Sequence, residues 1–253
     1  MSEDGSPMSA VPAVLSEQRL IESFDADVKG RLKPHVLFAY LVNCAWKHSS
    51  FTDHGYEDLR DRNQMWVLAK LQLSVIRYPR WGEKILIETW GKGVRKLYAL
   101  RDFTVTAPQG EKLASATSAW LVLDRSNRRP VRIDQMTFPW MPGRNELETD
   151  LEKVPALSGA SPQAQFRVVF SDIDVNGHVT ATKYLQWITD SNPAVDQKQL
   201  SYLEISFLGE AAMGDEVTVC RGQETARGEL WNVTRTGDQK ELCRAEMVWT
   251  WPA

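Results

Sequence analysis

Three side chains with complementary chemistry lie within five positions of the chain, namely Asp174, Asn176 and His178. They fall in residues 170–188, where the residue pattern changes from strand to helix. A carboxylate can accept a proton or orient an imidazole, an imidazole can relay a proton, and an amide can hold a water or a carbonyl group. We therefore place the candidate chemistry here. The alternative is a purely structural turn, since Asp and Asn favour such conformations.

The bulk properties limit the class of protein. With 253 residues, of which 43% are hydrophobic and 25% charged, the chain can bury a large core as a soluble globular protein. A formal net charge of −3 argues against a general nucleic-acid binder. The most apolar run, residues 36–46, is too short to span a bilayer. Cys44, Cys220 and Cys243 have neither metal-ligand nor disulfide spacing, which favours a reducing compartment and predicts no metal site.

Residues 1–16 lack the basic and apolar regions of a signal peptide, so we predict a flexible tail and a cytosolic protein. After it, Pro34 can start a helix because proline lacks the N–H that the first helical position does not need. Residues 36–45 continue as an apolar, buried helix, followed by strand-like runs at 65–78, 84–89, 97–106 and 113–123. A helix followed by a meander of long strands predicts an α+β fold.

The second half repeats the first in the same order. Residues 25–31 align with 172–178, residues 71–76 with 203–208, and residues 113–120 with 242–249. Three blocks in one order indicate an internal duplication.

The two copies differ at the positions of the candidate chemistry. The first-half equivalents of Asp174, Asn176 and His178 are Asp27, Lys29 and Arg31. Because Lys and Arg cannot replace an amide and an imidazole, we expect the first half to be catalytically silent.

The Asp-Val-Asn-Gly-His stretch, with Lys183, Tyr184 and Trp187 after it, resembles the acyl-acyl carrier protein (acyl-ACP) thioesterases of plants and bacteria. The first half adds similar residues at 66–68, 77–82 and 114–120. The resemblance extends over residues 20–251. It implies an α+β tandem hotdog fold, with two antiparallel sheets that each wrap a long central helix.

The resemblance also implies an activity, namely hydrolysis of fatty acyl-ACP to free fatty acid without a metal or redox cofactor. Asp174, Asn176 and His178 match functional residues of the family, and Glu210 matches a family glutamate. Many plant members have a cysteine next to that glutamate, but here the position is Ala211. We therefore expect attack by an activated water, or an acyl-enzyme formed on a carboxylate. The family's two asparagines after the histidine are also replaced, by Thr180-Ala181.

Thioester hydrolysis needs a base and a site for the oxyanion. The helix that starts after His178 offers unpaired N–H groups, each worth about 3 kcal/mol when aimed at an oxyanion. Asp174 is the first choice for the base, or for the carboxylate that orients His178, because a partly dry cleft would raise its pKa. Glu210 is the alternative base, and the sequence does not separate the two.

The repeat and the resemblance suggest a division of the chain into four parts. These are the tail at 1–16, a silent N-terminal hotdog at 17–127 that forms the acyl tunnel, a proline-rich linker at 128–164 with a helix at 146–154, and the catalytic hotdog at 165–253. We expect the linker to pack on the surface or cover a sheet edge. Candidate substrate-binding residues, with core packing as the alternative, are Met65, Trp66, Leu68 and Val179.

Positive charge is concentrated between residues 60 and 101, although the whole chain is acidic. Acyl carrier protein is itself acidic, so this stretch could steer it toward the enzyme. A solvated sheet face is the alternative. The candidate partner-binding residues are Arg77, Arg80, Lys84, Arg95 and Lys96.

Three competing functions stay open at this point. They are an acyl-CoA thioesterase, a hotdog dehydratase or hydratase of 3-hydroxyacyl chains, and a non-catalytic acyl sensor. The sequence also leaves open the acyl chain length and any further assembly into a homodimer.

Overall fold

Two copies of one arrangement, a helix beside five antiparallel strands, make up the computed structural model, which describes residues 11–133, 138–149 and 151–251. Most of the predicted N-terminal tail, residues 1–10, lies outside the described residues, and the first strand already begins at Leu15.

The predicted helix and the four strands after it are present in the predicted order, and the structure adds a short helix at Tyr56–Asp61 that was not predicted. The first repeat contains β1 (Leu15–Leu20), α1 (Pro34–Ser49), α2 (Tyr56–Asp61), β2 (Gln64–Val75), β3 (Lys84–Arg95), β4 (Tyr98–Thr106) and β5 (Lys112–Asp124). A short strand, β6 (Pro130–Val131), pairs with β5. The second repeat contains β7 (Ser161–Arg167), a 3-10 turn (Phe170–Asp172), α3 (Ala181–Asp190), β8 (Gln199–Phe207), β9 (Glu216–Glu224), β10 (Glu229–Arg235) and β11 (Glu241–Thr250).

The strand order confirms the duplication. Along the sheet the order is β1-β3-β4-β5-β2 and then β8-β11-β10-β9-β7, so the second series repeats the first in reverse across the β2–β8 junction. This is the predicted α+β tandem hotdog. The two predicted sheets are joined edge to edge at β2 and β8, and α3 is shorter than α1.

The helices lie on one face of the sheet and pack on each other there. Helix α1 begins at Pro34, as the sequence predicts, and buries Leu37, Phe38 and Leu41 completely. Strand residues alternate between faces, so Ile85 and Ile87 join this core while their neighbours point to the other face. Among the described residues no helix is both long and apolar enough to cross a membrane.

The junction of the repeats has an approximate twofold centre at the pair Gln72–Glu204. These residues pair across β2 and β8, and each is the other's equivalent in the sequence repeat. The Glu204 carboxylate is nearly buried and accepts hydrogen bonds from Gln72 Nε2 (3.2 Å) and Tyr202 Oη (2.8 Å). Lys70 Nζ, equally buried, lies 2.7 Å from Glu204 Oε1. A paired ionic group therefore sits at the seam between the halves.

The linker crosses the face of the sheet opposite the helices, over both repeats. Trp90 Nε1 donates to the Arg144 carbonyl (2.9 Å) and Lys92 Nζ to the Leu147 carbonyl (2.6 Å) in the first repeat. In the second repeat the Val154 N–H donates to Ser206 Oγ (3.0 Å).

The prediction of a helix at 146–154 is wrong for the residues that the structure describes there. The Leu147 and Thr149 carbonyls, which in a helix would accept N–H groups four residues later, instead accept hydrogen bonds from the Lys92 and Arg95 side chains of β3.

We expect Glu204→Gln to destabilise the fold by about 3 kcal/mol, because it removes the carboxylate that faces the buried Lys70 ammonium. Urea unfolding at pH 7 measures the change. The exposed residue Glu224 provides a matched control, since Glu224→Gln should cost no more than about 0.5 kcal/mol. Equal losses of unfolding free energy in the two variants would contradict a stabilising role for the Lys70–Glu204 pair.

The same pair predicts a pH dependence. Burial raises the pKa of Glu204, but the hydrogen bonds from Lys70, Gln72 and Tyr202 outweigh it and hold the pKa below its ordinary 4.5. A lowered folded-state pKa stabilises the protein above that value, and the contribution is lost as the pH falls through the folded pKa. The advantage of the wild type over Glu204→Gln should therefore shrink below about pH 4.5.

Candidate active site

The loop before α3 is a tight turn held by its own aspartate. The Asp174 N–H donates to the His178 carbonyl (2.8 Å), and Gly177 has a φ of 82°, which a glycine adopts without strain. Asp174 Oδ1 accepts the N–H groups of Asn176 (2.8 Å) and His178 (3.4 Å). Asp174 is exposed, which differs from the partly dry cleft expected for it, because its carboxylate turns back onto the loop backbone.

The first repeat builds the same turn from different side chains. The Asp27 N–H donates to the Arg31 carbonyl (2.7 Å), Asp27 Oδ1 accepts the Lys29 and Arg31 N–H groups, and Gly30 has a φ of 71°. The aspartate and the glycine are therefore common to both turns and shape the backbone. The turn itself requires neither Asn176 nor His178.

Glu210 is the carboxylate that contacts the imidazole. It lies after β8, and its Oε2 is 3.3 Å from His178 Nε2. Both side chains are about 30% exposed, so water can reach them. Tyr184 fixes this segment, because its buried hydroxyl accepts the N–H of Ala211 at 3.0 Å. The geometry therefore pairs His178 with Glu210 and leaves Asp174 to hold the loop.

Two arginines from the end of the first repeat complete the cluster. Arg128 forms an ion pair with Glu210, and its Nη2 lies 3.2 Å from His178 Nε2. Arg125 Nη2 donates to Asn176 Oδ1 (2.9 Å). The loop of one repeat thus meets the strand end of the other.

Neither arginine was predicted from the sequence. The sequence does show a cluster of arginines just after β5. The residues around them do not indicate that they contact a loop about fifty residues away.

The electrostatics of the cluster favour a neutral imidazole. Burial, and then the positive charge of Arg128, hold the pKa of His178 below its ordinary 6.5, while Asp174 opposes them. At neutral pH His178 is therefore unprotonated and able to accept a proton.

The first turn of α3 lies directly beyond this cluster. Thr180 precedes the helix but provides no side-chain cap, so its hydroxyl does not occupy the N–H groups of the first turn. In this turn the Lys183 N–H donates to the Thr180 carbonyl (2.9 Å), so the N–H groups of Ala181 and Thr182 are the candidate donors to an oxyanion.

The predicted substrate-binding residues separate into two environments. Met65 is buried, and its Sδ lies 3.5 Å from Arg128 Nη1, beside the cluster. Trp66 lines a narrow aromatic pocket of about 40 Å³ with Trp46, Trp120 and Trp140. That volume is far below the roughly 300 Å³ or more of typical ligand sites.

The other two predicted substrate-binding residues, Leu68 and Val179, belong to the hydrophobic core. Their placement among core side chains is the packing alternative that the sequence left open.

The five predicted partner-binding cations do not form one patch. Arg95 and Lys96 lie at the β3–β4 turn, at the end of the sheet where β5 ends and the cluster begins. Lys84 starts β3 at the opposite end, roughly 36 Å away at about 3.3 Å per residue. Arg77 and Arg80 precede Lys84 at that end, and Arg77 is bound by Glu83 and Glu111.

Among the described residues, no group of three or more His, Cys, Asp or Glu side chains is arranged to hold a metal ion.

Comparison with known proteins finds matches over almost the whole chain. The family model for the acyl-ACP thioesterase N-terminal domain matches residues 12–138, and that for the C-terminal domain matches residues 157–251. The crystal structure of an acyl-ACP thioesterase from Bacteroides thetaiotaomicron superimposes with a TM-score of 0.80 at 27% identity, covering 94% of this chain and 98% of that one.

Two curated plant relatives are similar in sequence. A chloroplastic acyl-[acyl-carrier-protein] hydrolase from Cuphea viscosissima is 28% identical over 73% of this chain and 48% of its own length. A chloroplastic palmitoyl-acyl carrier protein thioesterase from Gossypium hirsutum is 27% identical over 93% of this chain and 63% of its own length. The chain thus spans about half to two thirds of the length of these relatives.

We expect Arg128→Gln to raise the pKa of His178, because it removes a positive charge that opposes protonation of the ring. An NMR titration of the histidine ring signals measures the shift. Arg129→Gln is the matched control, since it removes the same charge from an exposed neighbour. An unchanged His178 pKa in Arg128→Gln would contradict the geometry of the cluster.

Proposed function

Because this chain belongs to the acyl-ACP thioesterase family, we propose that it hydrolyses the thioester of a fatty acyl-acyl carrier protein to free fatty acid and carrier thiol. The observation that carries the proposal is the cluster of His178, Glu210 and Arg128, in which an imidazole and a carboxylate lie 3.3 Å apart beside a helix N-terminus. A base next to oxyanion donors is the arrangement that acyl transfer to water needs.

The proposed base is the pair of Glu210 and His178. A water held between them loses a proton to this pair as its oxygen attacks the thioester carbon. Arg128 holds the Glu210 carboxylate in place through an ion pair, and the unprotonated His178 is able to receive a proton. Ala211 occupies the position of a family cysteine, so no thiol nucleophile lies next to Glu210.

The remaining groups hold the reacting atoms. The oxyanion formed at the carbonyl accepts hydrogen bonds from the first turn of α3. Asn176, fixed by Arg125, positions the carbonyl or the water. When the carbon–sulfur bond breaks, the proton taken from the water returns to the leaving thiolate through His178.

The two repeats are proposed to have different roles in the reaction. The second repeat supplies the reacting side chains, and the first repeat supplies Arg125, Arg128 and Met65 from its strand ends. The first-repeat loop has no imidazole or amide, so it is proposed to be silent in hydrolysis.

We also propose that the carrier protein approaches from the end of the sheet that holds Arg95, Lys96 and the arginines after β5. The acidic carrier would be steered there by positive charge close to the site. For the location in the cell we propose a reducing compartment such as the cytosol, because all three cysteines are free and buried.

We expect Glu210→Gln and His178→Ala each to lower kcat for acyl-ACP by roughly 10²- to 10⁴-fold, because each removes a proton acceptor. Release of free thiol from an acyl-ACP substrate measures the rate. The control Glu224→Gln makes the same chemical change at an exposed strand end.

Three outcomes would contradict the proposal. Variants that release thiol at the wild-type rate would remove the cluster from the chemistry, and a wild type that prefers acyl-CoA would remove the carrier protein as substrate. An enoyl product without free thiol would indicate a dehydratase.

We expect Lys96→Asp to raise KM for acyl-ACP by about three- to tenfold, because it reverses a charge near the proposed approach. Aspartate tolerates the positive φ of 59° at this position. KM for an acyl-pantetheine thioester, which carries no phosphate, should not change, and the effect on acyl-ACP should fade at high salt because exposed charges are screened. Lys84→Glu at the opposite end is the control, and an equal effect there would contradict the proposed direction.

A further inference from the structure

A cavity of about 420 Å³ lies at the first-repeat loop, at the position that the internal twofold relates to the candidate active site. This volume falls within the range of small-molecule sites. Its walls come from both repeats, as those of the candidate active site do. Arg31 and Tyr78 come from the first repeat, and Gln199 and Trp249 from the second.

The side chains of this cavity donate hydrogen bonds where those of the active site accept protons. Arg31 stands at the position of His178, and the ungapped alignment of β2 with β8 puts Tyr78 at the position of Glu210. A guanidinium and a phenol thus replace an imidazole and a carboxylate. The change converts a base into a set of donors.

Three of these donors are buried and have no hydrogen-bond partner among the described residues, namely Arg31 Nη1, Tyr78 Oη and Trp249 Nε1. Tyr78 is only 4% exposed. Buried polar groups are nearly always hydrogen-bonded, so three unpaired donors around one cavity point to an acceptor that belongs between them.

Asp27 holds the guanidinium in place for this purpose. It accepts hydrogen bonds from Arg31 Nε (2.9 Å) and pairs with Nη2 (2.8 Å), which leaves Nη1 as the free donor. Burial raises the pKa of Tyr78, so its hydroxyl stays protonated and can donate.

The rest of the wall combines apolar side chains from both repeats with polar and charged ones. The cations Arg31, Lys33 and Lys198 are balanced in number by the anions Asp27, Asp190 and Asp196, and the uncharged polar members are His35, Gln186, Thr189 and Gln199. The apolar wall residues are Val28, Leu32, Pro34, Val195 and Leu200.

We propose that this cavity is a second ligand site, which binds the carboxylate of a free fatty acid through Arg31, Tyr78 and Trp249 and its alkyl chain along the apolar wall. The choice of a fatty carboxylate rests on the proposed function, because that reaction releases such a molecule.

Calorimetric titration of the full-length protein with decanoate tests the proposal. We expect Tyr78→Phe to weaken binding at one site about tenfold or more, because it removes one donor to a charged group and keeps the ring. Trp249→Phe removes a second donor and should act in the same direction. Thermal unfolding shows that each variant is folded.

Three controls decide between explanations. Glu210→Gln alters the symmetry-related position and should leave this binding unchanged. Decanol lacks the charge, and inorganic phosphate lacks the chain, so neither should compete with decanoate.

Undiminished decanoate binding in both Tyr78→Phe and Trp249→Phe would overturn the proposal, as would no binding to the wild type, equal binding of decanol, or displacement by phosphate. These outcomes are independent of turnover. A failure of the proposed hydrolysis would appear instead as an absence of thiol release by the wild type.

Discussion

The antiparallel pairing of β2 with β8 is the constraint on which the rest of the structure depends. It joins the two sheets and places an approximate twofold at Gln72 and Glu204, where Lys70 supplies the balancing charge. Because of that twofold, the loop of each repeat faces the strand ends of the other. Each loop therefore forms a cluster shared between the repeats, which gives the candidate active site at one loop and the proposed ligand site at the other.

The two sites show how one backbone supports different chemistry. Asp174 and Asp27 make the same hydrogen bonds to their own loops, so the carboxylate that looked most like a catalytic base serves the turn in both copies. The two copies differ at the side chains two and four positions after the aspartate. They also differ at the residue that follows β8 in one copy and β2 in the other. His178 with Glu210 can move a proton, whereas Arg31 with Tyr78 can only hold a charge.

Much of the fold was predictable from the sequence, because repeat and periodicity are local signals that survive divergence. The Pro34 start of α1, the meander of strands and the duplication were all predicted, and the strand order confirms them. The tandem hotdog came from the resemblance. The helix predicted at 146–154 is wrong because the Leu147 and Thr149 carbonyls accept hydrogen bonds from side chains of β3, tertiary contacts that override the local pattern.

The candidate site was only partly predictable for the same reason. The pairing of His178 with Glu210 and the roles of Arg125 and Arg128 depend on which strand ends meet across the seam, and charge density along the sequence does not encode this. The density of charge along the sequence also does not show that Lys84 and Arg95 lie far apart. They are at opposite ends of one strand, β3. The cavity at Arg31 was not predicted from the sequence, because buried donors without partners are a property of the folded structure.

A single-turnover reaction with enzyme in excess over acyl-ACP tests the central claim most directly. Rapid quenching would follow carrier thiol, free fatty acid and the intact mass of the protein together. Attack by water at the His178–Glu210 pair predicts that thiol and fatty acid appear in equal amounts at one rate, with no acylated protein at any time. Thiol released ahead of fatty acid, together with protein that carries the acyl mass, would contradict direct attack by water, and no thiol release at all would contradict the proposed hydrolysis.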